Sequence, residues 1–540
     1  MASTRGRMRE LLLNETPPHI GRIASTYINP SDYFHAHAQA ALRELWEDVR
    51  SQRETEPYQI CSSHMFTKLK AHDIVFVDDQ LIIIGREDLE SRERFVDKRV
   101  QLLGSCATEL YIMGAGSYFD GSCSRLVHSL AAGVVRPPSS ERHESFEQDA
   151  FNESQLGVVG AASTLSTGQL LLVQGPPGTG KTTTLVRVIR TIDRCGEGSL
   201  LICAPSNKAV SNVLMAGRFT MHEAILFGAR DKIDPSVKWF HIDVRRERLG
   251  YLRAATMDQN SSVTSKIIKS NDDADGEFDF STLIDRLLED EPPKDHEFDT
   301  RPWSAPSCML MARREIRARL QAVETMDFRF VFSTVASTGG YQLRSESFEC
   351  AVVDEACQGR EADMLIPLAR GIGRLVLVGD PQQLQSTVKS DVCKRSGLGT
   401  SMMERLCSLG HVPMLLDTQY RMHHDIVSLP NRLFYGERLK TVHMDKFPPN
   451  ASLARYTVNQ IAGFSERSDS SICNNREGRQ VMKYVTHIKR EWPDASIGVI
   501  TPYRAQAACL IKMLRPDTAV GTVDAFQVDP QHRCTKRKYI

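Results

Sequence analysis

The sequence predicts an α/β fold: a parallel sheet covered on both faces and carrying a loop that cradles phosphate. Three observations predict it. From Phe151 onward the runs "QLLLVQG", "SLLICAPSN", "FRFVFST", "FECAVVDEA" and "GRLVLVGD" are apolar throughout, alternate with helical segments, and each end in a polar or glycine-rich loop. That is the pattern of strands buried on both sides. The stretch "GPPGTGKT", Gly175 to Thr182, fits G-x-x-x-x-G-K-[ST], following one such strand and opening a helix, the context that makes the match meaningful. Finally, "VVDEA" ends another strand on Asp354 and Glu355. Ligand sites on parallel sheets gather at the carboxyl ends of strands, where all of these residues fall.

At 540 residues the chain is long enough for about three or four folding units. Apolar residues make up 41% of it, enough to fill such cores. Lys+Arg and Asp+Glu each number 67, so a nucleic-acid partner would need a local basic groove rather than an overall basic protein. The 13 cysteines are odd in number and include no Cys-x-x-Cys pair, which suits reduced thiols of the nucleus or cytoplasm better than a disulfide framework. Cys61 with His64 is the nearest approach to a metal half-site, and nothing completes it at zinc-ligand spacing. No structural metal is therefore expected. The start, "MASTRGRMRELLLNE", lacks the apolar centre of a secretory signal, with a mitochondrial presequence as the remaining alternative. No apolar run reaches the ~18–20 residues needed to span a bilayer, and no membrane association is expected.

Residues 1–149 read as an accessory α+β region. "SDYFHAHAQAALRELWEDVRSQ" sets Phe34, Ala38, Ala41, Leu42, Leu45 and Val49 on one helical face, with Ser31 or Asp32 as N-cap. His35 and His37 then fall on its surface or half-buried flank. "DIVFVDDQLIIIGRE" reads as two strands around an Asp78-Asp79 turn. Residues 150–400 hold the five apolar runs, interrupted over roughly 215–325 by an insertion. Its acidic part, "KSNDDADGEFDFSTLIDRLLEDEPPKDHEFD", predicts a solvated, partly flexible excursion. "ARREIRARLQAVE" predicts a helix with Glu315 and Arg319 at i,i+4 spacing and a solvated arginine face. Residues 401–540 form the last predicted unit.

The motifs specify chemistry. Gly175, Gly178 and Gly180 let the backbone curl so that its N–H groups converge on phosphate oxygens, aided by the following helix N-terminus. Lys181 would reach the β- and γ-phosphates, and the Thr182 hydroxyl would hold Mg²⁺. Pro176, Thr179 and Thr183 complete the nucleotide-binding stretch. Asp354 would hold the same metal through its water shell, and Glu355 would orient and deprotonate the attacking water. In "LVLVGDPQQL", Gln383 offers an uncharged group where a γ-phosphate is sensed. In "LLDTQYRMH", Tyr420 is suited to stacking on a base and Arg421 to pairing with phosphate.

Taken in order, "GPPGTGKTTT", "APSNKAVSNVL", "DEACQ", "GDPQQLQ", "QYRMHHDI", "TPYRAQ" and "TVDAFQ" resemble the superfamily-one helicases of the up-frameshift and senataxin type, over roughly Asn152 to Gln527. The resemblance implies tandem RecA-like domains of the P-loop NTPase class, ATP and Mg²⁺ as cofactors, and single-stranded RNA or DNA as partner. By position, it also implies a stalk-and-barrel accessory region as a place for protein partners. Gln155 in "FNESQ" is similar to the glutamine that reads the adenine edge. Tyr420 and Arg421 are similar to the adenine-stacking ring and the arginine reaching from the second RecA-like domain. Pro205, Ser206, Asn207, Ser333, Thr334, Thr501, Pro502 and Tyr503 are similar to strand-end contacts on a single-stranded backbone. A monomeric motor moving 5′-to-3′ is the family expectation.

Two departures accompany the likeness. The family continues "TVDAFQ" with glycine, further strands and an arginine motif, whereas Gln527 is followed here by Val528, Asp529 and Pro530. The second RecA-like domain is therefore expected to be incomplete, with Val528–Ile540 a non-homologous tail. Loss of such an arginine costs roughly 10³–10⁵ in rate, or about 4–7 kcal/mol of transition-state stabilisation. Gln385-Ser386 stands where prolines are common, a change expected to adjust only a loop. Two functions fit: an ATP-dependent helicase or translocase, or a catalytically impaired scaffold that binds ATP and nucleic acid.

Overall fold

The structure, a computed structural model, describes residues 2–56, 59–60, 69–78, 80–85, 88–89, 95, 98–121, 123–139, 151–196, 198–272, 279–290, 306–442, 458–461, 465–468, 471–514 and 516–528. Cys61 and His64, residues 273–278 and 291–299 of the acidic stretch, and residues 529–540 lie outside them. The chain forms two compact units, residues 1–175 with 181–416, and residues 176–180 with 417–540. The first unit runs on past position 401, because the helix Met402–Ser408 and a short strand at Met414–Leu415 pack with it.

In the first unit, β1 (Gln59–Ile60), β2 (Asp73–Val77), β3 (Gln80–Ile83) and β4 (Arg99–Ser105) form an antiparallel sheet in the order β1-β4-β2-β3. The hairpin at Asp78 is the one its sequence predicts. The main sheet follows with β5 (Leu170–Gln174), β6 (Leu200–Ala204), β7 (Ala224–Phe227), β8 (Phe330–Thr334), β9 (Cys350–Val353), β10 (Arg374–Gly379) and β11 (Met414–Leu415). It is parallel throughout, in the order β11-β5-β10-β9-β6-β8-β7. The five predicted runs are its five central strands. The edge strands β7 and β11 were not anticipated, since four or two apolar residues make no pattern until a neighbour pairs with them.

Period-two alternation explains why these runs are apolar throughout. Leu170, Leu172, Cys203, Val331, Val353 and Leu377 enter one core. Their neighbours Leu171, Val173, Ile202, Phe332, Val352 and Val378 enter another, on the opposite face. The helix Lys181–Cys195 covers the second face with Leu185, Val188, Ile189 and Ile192. The insertion helices Ile242–Ala255 and Ser307–Thr325 join the first core. Register then aligns the strand ends: Gly379 lies opposite Gln174, Leu377 opposite Val353, Val353 opposite Cys203, and Thr334 opposite Ala204.

The accessory helix spans Pro30–Thr55 and is capped by Asn29, whose Oδ1 accepts the Asp32 N–H at 2.8 Å, rather than by Ser31 or Asp32. Phe34, Ala38, Ala41, Leu45 and Val49 are buried as predicted, with Leu42 half-buried. His37 is buried too, contrary to expectation. The reason is a polar cluster built around Glu361. Its carboxylate accepts from Tyr33 Oη (2.6 Å), Arg405 Nε (2.8 Å) and an Arg405 terminal nitrogen (2.7 Å), with His37 Nε2 at 3.9 Å. Arg405 also donates to the carbonyls of Ser25 and Leu130, at 2.8 and 2.9 Å. The N-terminal helices and the sheet therefore share one core, tied by a satisfied buried ion pair.

The described part of the acidic stretch buries an apolar helical face. Phe280–Glu289 is a helix whose Leu283, Ile284, Leu287 and Leu288 are buried. Arg319, expected on a solvated face, is buried against Glu315 (2.8 Å), Asp285 and the Ser281 carbonyl.

The second unit pairs β12 (Thr418–Gln419) with β13 (Lys440–Thr441), β14 (Glu466–Ser468) with β15 (Ser471–Cys473), and β16 (Gly498–Thr501) with β17 (Ala519–Thr522). The first and last pairs are parallel. The helices His424–Phe434, Asn475–Glu491 and Arg504–Met513 complete it. "TVDAFQ" runs from β17 into a short helix, Val523–Val528.

Candidate active site

The phosphate loop, Asp354-Glu355 and Asp380 each sit at the end of a buried strand, and the shared register brings the ends of β5, β10 and β9 side by side. Gly175 donates its N–H to the Gly379 carbonyl at 2.9 Å. A Cβ on Gly175 would lie 2.3 Å from Lys181 Cγ, so only glycine lets the lysine fold back over the loop. Gly178 and Gly180 hold φ of 81° and 76°, the left-handed turn that aims successive amides inward. Thr179 is buried and donates its hydroxyl to the Pro176 carbonyl at 2.7 Å. Thr182 is half-buried and Thr183 exposed, in the first turn of the helix after the loop.

Lys181 Nζ lies 3.1 and 3.2 Å from the two Glu355 carboxylate oxygens. Glu355 has φ of 51°, in the left-handed region that side-chain-bearing residues rarely adopt. Two contacts hold it there. Its N–H donates to Asp354 Oδ1 at 2.9 Å, and Gln358 Nε2 donates to its Oε2 at 3.1 Å. Asp354 is buried and donates its own N–H to the Cys203 carbonyl at 2.9 Å. At the end of β10, buried Asp380 accepts from Gln174 Nε2 (3.2 Å), Gln383 Nε2 (2.8 Å) and the Gln382 N–H (3.2 Å). Gln383 is thus tethered to a carboxylate one strand away from Glu355.

The second unit carries Tyr420 and Arg421, both exposed, in a turn fixed by the fully buried Gln419. Gln419 Oε1 accepts the N–H groups of Arg421 (2.9 Å) and Met422 (2.7 Å), while its Nε2 donates to the Met422 carbonyl (2.6 Å) and Thr441 Oγ1 (3.0 Å). The Tyr420 N–H donates to the Gly178 carbonyl at 2.8 Å. His423, His424 and Asp425 gather within 4.8 Å of one another, and His423 Nδ1 accepts the Asp425 N–H at 3.2 Å, capping the next helix.

Two family models, each described as an AAA domain, match residues 150–391 and 398–529. "Probable helicase senataxin" of Mus musculus is 28% identical over 471 residues, covering 72% of this chain and 17% of that protein. "Regulator of nonsense transcripts 1 homolog" of Arabidopsis thaliana is 28% identical, covering 74% and 31%, and "ATP-dependent helicase NAM7" of Saccharomyces cerevisiae is 27% identical, covering 66% and 35%. The chain belongs to the superfamily-one helicases of the up-frameshift and senataxin type. It spans between 17% and 35% of the length of these relatives. A solved arterivirus helicase, "The structure of PRRSV helicase", aligns at a TM-score of 0.28 with 11% identity over 87% of this chain and 66% of that one, too low to place any residue.

For a helicase of this family, the remaining expected residues distribute unevenly. Gln155 is buried and completes a capping box: its Oε1 accepts the Asn152 N–H at 3.0 Å, and its own N–H donates to Asn152 Oδ1 at 2.9 Å. Pro205, Ser206 and Asn207 are half-buried at the end of β6, where Ser206 caps the next helix. Ser333 lies in β8, just before Thr334. It is fully buried and its hydroxyl donates to the Thr334 carbonyl at 3.1 Å, because a side chain on that face of β8 points into the core. Thr334 instead donates to Ser337 Oγ at 2.7 Å. Thr501 is buried and accepts the Tyr503 N–H at 3.3 Å, leaving Pro502 and Tyr503 exposed.

The residues missed from sequence are those that hold the chemistry in place: Gln358, Asp380, Gln419 and also Gln506, which is buried and joined to Asn474 by hydrogen bonds of 2.6 and 3.3 Å. Each lies inside a motif quoted for its neighbours. The signal for the three glutamines was an uncharged donor–acceptor within one to four residues of a charged or exposed group; for Asp380 it was a carboxylate at the end of an apolar run. Among the described residues, no helix is long and apolar enough to cross a membrane.

Proposed function

We propose that the chain is an ATP-driven helicase or translocase on single-stranded nucleic acid, RNA or DNA, moving 5′-to-3′ in the nucleus or cytoplasm. The observation that carries this reading is the Lys181–Glu355 contact, at 3.1 Å, at the mouth of a glycine loop of phosphate-binding geometry. It puts a phosphate-seeking cation and a water-activating carboxylate at the same strand ends.

Glu355 meets the lysine charge. An incoming γ-phosphate takes the lysine, which releases the carboxylate toward the attacking water. Gln358 keeps hold of Glu355 during that exchange, and Gln383, tethered to Asp380, senses the γ-phosphate. Thr182 and Asp354 are hard oxygen donors adjoining the paired Lys181 and Glu355, a set that fits Mg²⁺. The metal would neutralise charge on the phosphate oxygens. Gln155 would present its amide to the adenine edge, Tyr420 its ring to the base, and Arg421 its charge to the γ-phosphate. Pro205, Ser206, Asn207, Thr334, Thr501, Pro502 and Tyr503 would follow the backbone of the strand without reading its sequence.

The test is strand displacement with purified protein on duplexes carrying a single-stranded 5′ or 3′ overhang. The reading predicts ATP-dependent release from the 5′-tailed duplex alone, abolished by Lys181→Ala. Equal release without ATP, or undiminished release by Lys181→Ala, would refute it.

A further inference from the structure

A cleft of about 520 Å³ opens at the edge of the main sheet opposite the strand ends just described. It lies between the helix Arg125–Ala132, the segment around Val134 and Arg136, and the turn Ser166–Gln169 that leads into β5. The Leu170 N–H donates to the Arg136 carbonyl at 3.0 Å, pinning that segment to the first residue of the strand. The five residues of β5 therefore separate this cleft from the phosphate loop, a distance of roughly 17 Å at strand rise.

Among the described residues, the lining is basic and carries no carboxylate. Arg125 and Arg136 are exposed, and neither guanidinium meets an acidic side chain among the described residues. Elsewhere in the same unit Arg190, Arg319, Arg329, Arg360, Arg374 and Arg405 each pair with one. The stem of Arg125 runs beside Gly168, whose added Cβ would meet its Cδ at 3.4 Å, so the side chain has a defined bed. Nδ1 of His128 donates to the Ser124 carbonyl at 3.2 Å, which leaves Nε2 for another partner. Thr167 adds a hydroxyl, and Val134, 69% exposed, adds an apolar wall.

Two uncompensated guanidinium groups beside one hollow suit a doubly charged phosphoryl group, which they grip through charge-assisted pairs. The volume lies within the ~300–1,000 Å³ of small-ligand sites, far more than a lone anion fills. Arginine planes also stack on bases. We propose that this cleft binds a nucleotide 5′-monophosphate, its phosphate between Arg125 and Arg136 and its body against Val134. The ligand is either a free mononucleotide or the phosphorylated end of a strand. This inference stands apart from the reading of the phosphate loop.

Titration calorimetry on the full chain tests it, using Lys181→Ala protein so that the loop contributes less. The probes are uridine 5′-monophosphate, a single-stranded oligonucleotide with a 5′-phosphate, the same strand with a 5′-hydroxyl, and a phosphoserine peptide. The expected result is binding of the monophosphate or the 5′-phosphorylated strand, weakened at least tenfold by adding Arg125→Ala and Arg136→Ala with an unchanged thermal midpoint. Equal affinity for the two assigns the free nucleotide as ligand; tighter binding of the phosphorylated strand assigns the strand end. In protein with Lys181 intact, the same two substitutions leave ATP turnover unchanged. Undiminished binding after both substitutions, no preference for the 5′-phosphate over the 5′-hydroxyl, or preferential binding of the phosphopeptide would each overturn the proposal.

Discussion

Glu355 is held in a strained backbone conformation and pairs with Lys181, so the group proposed to activate water also competes with the nucleotide for the lysine. Replacing it separates those roles. Glu355→Gln is expected to lower ATP turnover about 10²–10⁴-fold, the range for losing a general base, while lowering the KM for ATP because Lys181 is no longer neutralised. Steady-state kinetics check both, and a raised KM would contradict the competition. Gln358 touches Glu355 rather than any reacting atom, which makes it a positioning residue. Gln358→Ala should reduce kcat about tenfold, the worth of a hydrogen bond to a charged group, with KM little changed; Gln358→Glu, which repels the carboxylate, should be worse. The charged members of this site were legible in sequence because their motifs are defined by charge and glycine spacing. The glutamines were not, since their roles depend on which strand end becomes a neighbour. The surroundings of Ser333 and Thr334 were not legible for a related reason: both are buried, and the run alone does not say which partner each hydroxyl finds.

Among elements, the Glu361 cluster joins the accessory helix Pro30–Thr55 to the helices Glu361–Leu368 and Met402–Ser408. Arg405→Met strands a buried carboxylate and should cost about 3–5 kcal/mol, read from the denaturant midpoint. Adding Glu361→Leu and Tyr33→Phe should recover part of that loss, and an Arg405→Met protein within 1 kcal/mol of the parent would sink the assignment. The same cluster makes stability depend on pH. Burial lowers the pKa of His37, with Arg405 lowering it further and Glu361 opposing. The folded state therefore refuses a proton that the unfolded chain accepts below about pH 6.5. Stability should fall as pH drops below that value, by at most about 1.4 kcal/mol per unit. Burial raises the pKa of Glu361, but Arg405, His37 and the Tyr33 hydrogen bond together more than offset it, so it ends below its usual value; its contribution is lost only further down, below about pH 4.3. Thermal midpoints between pH 7 and 5 should thus decline less in His37→Gln than in the parent, and parallel curves would contradict this. None of it was visible in sequence, where three separate segments supply the cluster and His37 looked like a flank residue. The five central strands, by contrast, were legible because burial on both faces leaves no polar interruption. Within the insertion, the acidic composition hid the Leu283, Ile284, Leu287 and Leu288 stripe.

For the whole molecule, the seven ordered motifs carried the family resemblance, and the parallel register explains why four of the motif strands, β5, β6, β9 and β10, deliver their residues to one edge. The unit boundary at Leu416–Asp417 and the strands β7 and β11 depend on packing rather than on pattern. The central claim is that the strand-end cluster around Lys181 and Glu355 hydrolyses ATP in response to single-stranded nucleic acid. The most direct measurement is ATP turnover by the purified chain with and without single-stranded RNA and DNA, beside the Lys181→Ala and Glu355→Gln proteins. The account predicts turnover that at least one of the strands accelerates and that both substitutions suppress. Turnover indifferent to either strand, or equal in the substituted proteins, would contradict it.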